Sequence, residues 1–442
     1  MRQQLKSFFR VSHSLNAMKN LVLQSPCKGV AAQRGLSLIE LLVALAIGLV
    51  VTLAVTTTLL TSSSNQRTST ALNDSLQTGA FAAASLDRVV RSAGSGLIQS
   101  SNVFGCLINA GIAPGPTQIL PPATALPDPF ALIGSSATGG VPVVLAPVVI
   151  VDGGSDAVHG QASDQLIIMS GSHGFSEVRL PIVPRSTTGT STKVASTFGI
   201  NANDLVLIAG GTGPCMVQQV LSTAAGGTIN FGNKYFDAVG SPSSTTLSAS
   251  FNAIKSPSVV PLGSAGATPA DPDPNPPQFY VYGVNDANEL VRYNLLAAPG
   301  TATALEVLSE NVVSIQAIYG TGTPTTRVPR DPEKALDPDS PTALIWVAPT
   351  ATGYGATGAA GGLLDGSATA NALLRGIKSI RLAMVVRSPL QEKEPAGGTP
   401  AVSPPSLVMF ADTASPVTYD IPAAQQNFRH RVIETIIPLR NL

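Results

Sequence analysis

The sequence predicts an α+β protein in which one long N-terminal helix, its first half apolar and its second half amphipathic, packs on a large β-rich head. Three observations predict it. A long apolar run reaches from Leu36 to Leu60, interrupted by one charge. After it, Leu72, Leu76, Ala80, Ala83, Leu86 and Val90 recur at steps of three and four, the signature of one helix face. Past Gly94 the chain breaks into short apolar segments split by Gly, Pro, Ser and Asp, as strands and turns do. Composition agrees: 442 residues with 41 Gly, 35 Pro and only 12% charged residues read as one or two punctuated β-rich domains rather than a helical bundle.

The first element, residues 1–35, is a basic leader. It holds Arg2, Lys6, Arg10, Lys19, Lys28 and Arg34 and no acid. Met18 is an alternative start that would shorten it. Removing those six from the chain's 26 bases leaves 20 against 26 acids, a net charge of −6 that disfavours nucleic-acid binding.

The second element, residues 36–95, begins with the apolar run. About 25 residues at 1.5 Å each exceed the roughly 30 Å of a bilayer's hydrocarbon core. The bases precede the run and none follows until Arg67, so the positive-inside bias keeps the N-terminus cytoplasmic and exports the rest. A secretory signal peptide would have a shorter apolar region and a small-residue cleavage site, whereas this run continues into "TTTLLTSSSNQ". The one charge is Glu40. A carboxylate inside a membrane helix costs about 2.5 to 3.5 kcal/mol, less near the interface, so either Glu40 snorkels to the headgroups or a partner compensates it.

The residues around Glu40 carry a resemblance. "RG" followed by "LSLIELLVALAIGL" closely resembles the class III signal of type IV prepilins. The resemblance implies cleavage by a prepilin peptidase after Gly35, methylation of the new N-terminal Leu36, and a glutamate at the fifth mature position, here Glu40. It also implies a role for that charge: pairing with the freed amino terminus of a neighbouring subunit during assembly. Leu36 departs from the family's usual Phe.

A helix over Leu36–Ala93 would measure roughly 87 Å. The stretch "TTTLLTSSSN" has β-branched and hydroxyl side chains that favour helix less, so loosening is expected there.

The third element, residues 96–442, is the β-rich head, with two lobes expected to join near 263–277. "VPVVLAPVVIV", "DQLIIM", "DLVLIAG", "FYVYGV", "NVVSIQAIYG", "TALIWVA", "IKSIRLAMVVR" and "RVIETIIPL" read as strands, and "NDAN" as a hairpin turn. Residues 263–277 and 391–405 read as long surface loops. In "RVIETIIPL" one face is apolar and the other mixed, and Pro438 places the end at a sheet edge. This strand is expected to pack against the helix face of Leu76, Ala83 and Val90.

"LQTGAFAAASLDRVVRSAGSGL" before "FGC", with Arg91, Ala93, Gly94, Gly105 and Cys106, narrows the resemblance to the PilW-like minor pilins, type IV pilus assembly proteins. "ASDQLIIM", "ENVVSIQAIYG", "IKSIRLAMVVRS" and "FRHRVIETIIPLRNL" are similar to that group's strand motifs. If Cys27 leaves with the leader, Cys106 and Cys215 remain, an even pair in a compartment that permits oxidation. They read as a disulfide, with two unpaired buried thiols as the alternative.

Catalytic patterns are sparse. There is no H-E-x-x-H, C-x-x-C or P-loop, and "GGLLDGSA" lacks the phosphate-binding Lys. "IIMSGSHGF" places Ser172 beside His173 but lacks the first Gly of a nucleophile elbow, and reads as a hairpin loop. His13, His159, His173 and His430 are scattered without metal-ligand spacing. Asn285, Asp286, Asn288 and Glu289 offer oxygens to calcium but lack the twelve-residue EF-hand pattern, so a plain turn is favoured.

The resemblance therefore implies a non-catalytic minor pilin without cofactor or metal, cut, methylated and inserted in the inner membrane, its head in the periplasm and then at or near a pilus tip. Expected partners are other minor and major pilins, the prepilin peptidase, the inner-membrane assembly machinery and a tip adhesin, in support of motility or adhesion. The alternatives are a large pseudopilin of a type II secretion system and, from another class, a membrane-anchored periplasmic hydrolase.

Overall fold

The computed structural model describes residues 37–97, 102–112, 117–134, 140–156, 160–172, 179–210, 215–236, 239–240, 245–265, 275–297, 304–322, 344–358, 360–392, 402–414 and 416–440. The fold is α+β, and the chain divides into two units, Met1–Asn65 and Gln66–Leu442.

In the first unit the helix that spans Leu38–Ser92 begins. Its apolar residues from Leu38 to Leu60 are exposed, with a mean hydropathy of 2.7 over the most apolar 18-residue window, enough in length and composition to cross a membrane. The loosening expected at "TTTLLTSSSN" does not occur. The threonine hydroxyls there turn back on their own helix: Thr56 Oγ1 donates to the Thr52 carbonyl (2.7 Å), Thr58 Oγ1 to Ala54 (2.8 Å) and Thr61 Oγ1 to Thr57 (2.9 Å). In a segment with nothing else to bond, that satisfies the side chains without breaking the helix.

In the second unit the helix buries a stripe of Ala71, Ser75, Gly79, Ala82, Leu86 and Val90. This corrects the expected face: Leu86 and Val90 are on it, but Leu76 is 39% exposed and Ala80 faces outward. The reason is close approach. A Cβ added to Gly79 would overlap Ile433 Cδ1 and stand 3.2 Å from Val386 Cγ1, so at this point the helix meets its sheet through small residues and turns Leu76 away. The helix closes at Gly94, whose φ of 76° reverses the chain while its amide donates to Met169 O (2.8 Å).

Three main sheets build the head. The first runs in the order Thr117–Leu120, Ile108–Ile112, Cys215–Ala224, Asp204–Ala209, Ser258–Ser264 and Leu180–Pro181, with Thr228–Phe231 and Ser191–Lys193 extending from Cys215–Ala224. The second is antiparallel, in the order Leu305–Glu310, Glu289–Asn294, Gln278–Val284, Gln165–Ser170 and Val148–Val151. The third is also antiparallel: Ile345–Val347, Val312–Thr321, Ile377–Arg387 and His430–Pro438.

Ser264 ends a strand of the first sheet and Gln278 opens one of the second, so residues 265–277 cross between sheets; 266–274 lie outside the described residues. Of the loop read at 391–405, residues 393–401 also lie outside them. In "VPVVLAPVVIV" only Val148–Val151 forms a strand, because Pro142 and Pro147 cannot donate to a ladder. "NDAN" is the turn between Gln278–Val284 and Glu289–Asn294, with Val284 opposite Leu290.

The terminal strand His430–Pro438 is the edge of the third sheet and pairs with Ile377–Arg387 over its length. It meets the helix at Gly79 through Ile433, not at Leu76 as expected. Both its faces are covered. Ile437 joins the core that includes Leu86 and Val90, while Val432 packs with Phe410 and Tyr419 of a separate cluster. On that second side Arg381 bonds Asp412 (2.8 and 2.6 Å) and Glu434 (2.7 Å), and Glu434 Oε1 accepts from Phe410 N (3.0 Å).

Candidate functional site

The two halves of the chain offer different kinds of site. At the N-terminal end, Gly35 and Leu36 lie outside the described residues. The helix becomes visible as Glu40 N and Leu41 N donate to the carbonyl of Ser37 (3.0 and 3.1 Å). Glu40 therefore sits in the first turn, beside the unsatisfied amides and positive end of the helix dipole, where a carboxylate is favoured. Its side chain is exposed, as are Leu41, Leu42 and Val43 after it. The arrangement presents one acid at the start of an apolar cylinder.

Residues 31–56 match a family described as the prokaryotic N-terminal methylation motif. The N-terminus is that of a pilin-like or pseudopilin-like protein. That motif implies processing by a prepilin peptidase and association with pilus components, and the apolar helix fits the inner-membrane anchor of such a protein. No curated protein and no solved structure matches the chain.

In the head, Cys106 and Cys215 are joined through their sulfurs, with Cα atoms 5.8 Å apart and the two residues 109 positions apart in sequence. The folding that brings them together is a parallel pairing: Ile108 lies opposite Cys215, and Cys215 N donates to Leu107 O (3.0 Å). Both cysteines are buried, so the bridge ties the strand after the long helix to the middle of the first sheet.

The residues considered for catalysis or metal binding are engaged otherwise. Ser172 Oγ donates to the Asn275 carbonyl, and Ser172 N to Leu262 O (2.6 Å), tying the end of one strand to a neighbouring segment. His13, His159 and His173 lie outside the described residues. His430 is buried with Nδ1 within reach of Ser403 Oγ (3.2 Å) and Phe428 O (3.1 Å). In the "NDAN" turn, Asn285 Nδ2 donates to Glu289 Oε2 (2.9 Å) and Asn285 Oδ1 accepts from Glu289 N (3.0 Å), a self-contained hairpin closure. Among the described residues no group of three or more His, Cys, Asp and Glu is placed to hold a metal ion.

Sequence reasoning missed one buried acid. Asp164 accepts from Ala317 N (2.8 Å) and Gly153 N (3.2 Å), joining the second and third sheets. Burial pushes its carboxyl up to about 8, against the pull of those two amides. It stands at the head of "DQLIIM", where a lone Asp before a strand reads as a turn residue. Nearby, the Tyr319 hydroxyl accepts from Ile150 N (2.7 Å), and burial pushes its ionisation upward.

Proposed function

We propose that this protein is a minor pilin of a type IV pilus, a non-catalytic subunit that helps prime assembly at or near the tip. The observation that carries the reading is the coincidence of the methylation motif over residues 31–56 with an apolar helix that has one acid, Glu40, in its first turn. In lipid, a lone carboxylate is compensated by an opposite charge. A freed, methylated amino terminus at Leu36 of a neighbouring subunit supplies one. Leu36 itself is the first residue after cleavage at Gly35.

The head supports a role in recognition. Its part of the helix leaves Leu76 and Phe81 exposed at 39% and 60% on the side away from its own sheets, a surface for neighbouring subunits. The bridge between Cys106 and Cys215 suits an oxidising compartment. Partners in this reading are other minor and major pilins, the prepilin peptidase, the inner-membrane machinery and a tip adhesin.

Deleting the gene and restoring it on a plasmid tests the reading. Loss of surface pili and of pilus-dependent motility, with both recovered on complementation, is expected. Intact pili with a block in protein secretion would instead identify a type II pseudopilin.

A further inference from the structure

The outer edge of the third sheet is open beside a basic groove. Strand His430–Pro438 ends that sheet, and two bonds at its flanks fix its register: Leu439 N donates to Lys378 O (3.0 Å), and Arg429 O accepts from Ser388 N (2.9 Å). In an antiparallel pair, alternate residues turn both amide and carbonyl toward the same neighbour. Arg431, Ile433, Thr435 and Ile437 therefore bond Ile377–Arg387, and Val432, Glu434 and Ile436 turn theirs outward. Among the described residues nothing bonds the amides or carbonyls of those three. Alongside runs a groove of about 700 Å3, between Thr435 and Arg440 on one side and Asp87, Arg88 and Arg91 of the helix on the other. Thr435 shares its face of the strand with Ile433, so the groove lies on the helix side. Asp87 is its one acid and is taken by Arg91 (2.7 Å). Arg88 and Arg440 are exposed, and among the described residues neither side chain has an ion pair or a hydrogen bond.

An unpaired strand edge is a template for another extended chain, and two uncompensated guanidiniums beside it select the charge of what pairs there. We propose that this edge takes up an extended segment of another protein as a fifth strand of the third sheet, with carboxylate side chains at alternate positions. Main-chain bonds to Val432, Glu434 and Ile436 supply affinity, and the groove supplies specificity. Because side chains alternate along a strand, every second one of the added segment falls on the side of Ile433 and Thr435, in the groove. Carboxylates there, about 7 Å apart along the segment, meet the guanidiniums of Arg88 and Arg440, whose forked donors match a carboxylate. The segment's other face lies beside Val432 and Ile436, where apolar side chains suit it. Pro438 has no N–H and ends the template, so the segment is short. A free anion would use the guanidiniums but leave the edge unpaired.

Fluorescence anisotropy of labelled peptides, titrated with the full chain in detergent micelles, tests this. The acidic probe is fluoresceinyl-Thr-Glu-Val-Glu-Val-Glu-Thr-amide; its counterparts carry lysine for glutamate, or are N-methylated at the glutamates or at the valines. The acidic peptide should bind and the lysine peptide should not. One of the two methylated peptides should bind at least tenfold more weakly, because one set of amides faces the strand. Arg88→Gln and Arg440→Gln should each weaken the acidic peptide at least threefold and, at exposed positions, leave the Trp346 fluorescence melt unchanged. No binding of the acidic peptide, equal binding of the lysine peptide, undiminished binding of both methylated peptides, or unchanged affinity in either variant would overturn the proposal. So would displacement of the peptide by inorganic phosphate at equal concentration, which would mark a simple anion site. Dimers of the chain alone that Arg88→Gln dissolves would assign the edge to a second copy and overturn it too. None of these outcomes depends on whether the chain joins a pilus.

Discussion

Gly79 and Ile433 meet across the interface between the N-terminal helix and the C-terminal strand, with no room for a Cβ between them. The two ends of the head's chain are thereby packed into one core. Gly79→Leu should destabilise the head by about 1 to 3 kcal/mol through overpacking, whereas Leu76→Ala, on the exposed side, should change it by less than about 0.5 kcal/mol. Urea unfolding of the full chain in detergent, followed by its single tryptophan, Trp346, measures both. If Leu76→Ala costs more than Gly79→Leu, the helix faces the other way.

The same interface shows what was legible in the sequence. The helix was readable because apolar residues at steps of three and four mark a face. The buried stripe was not, because a sheet that approaches closely selects Ala71, Ser75, Gly79 and Ala82 by size rather than hydropathy. Strand Ile377–Arg387 was readable over its full length, being rich in apolar and β-branched residues with no breaker. Cys215–Ala224 was not, because its last four residues, Leu221–Ala224, are exposed and polar in part. Neither was helix Ala368–Gly376, although Ser367 Oγ accepts from Ala370 N (3.0 Å) as an N-cap does. The groove between Arg88 and Arg440 joins opposite ends of the head's chain, which no local pattern reveals.

Asp164 makes the head's stability depend on pH. Its carboxyl is raised to about 8 in the folded state from about 4 when unfolded. Between those values the folded state holds a proton that the unfolded state has lost. This contribution is therefore complete below about pH 4, declines as pH rises and is gone above about 8, with a slope of at most about 1.4 kcal/mol per pH unit. Asp164→Asn should flatten the decline between pH 5 and 8 in urea midpoints. An unchanged slope would mean that the carboxylate is ionised in place.

Reducing the bridge between Cys106 and Cys215 should destabilise the head by about 4 to 5 kcal/mol on chain-entropy grounds, since it closes a loop of over a hundred residues. Thiol labelling of protein purified without reductant should find neither cysteine reactive, even in denaturant. Two thiols exposed by unfolding would show that the bond does not form in the cell.

Glu40→Ala should insert and be processed normally, because removing a charge eases entry into lipid, yet its share in sheared pili should fall at least tenfold. Equal recovery of variant and native protein would favour a carboxylate that merely reaches the headgroups.

The central claim, that this chain enters a filament through a processed N-terminus, is tested most directly by mass spectrometry of the N-terminal peptide from cells with an active prepilin peptidase. The account predicts a mature chain that begins at N-methylated Leu36, with Gly35 and the basic residues before it gone. Recovery of a mature protein that still carries Arg34 and Gly35 would contradict it.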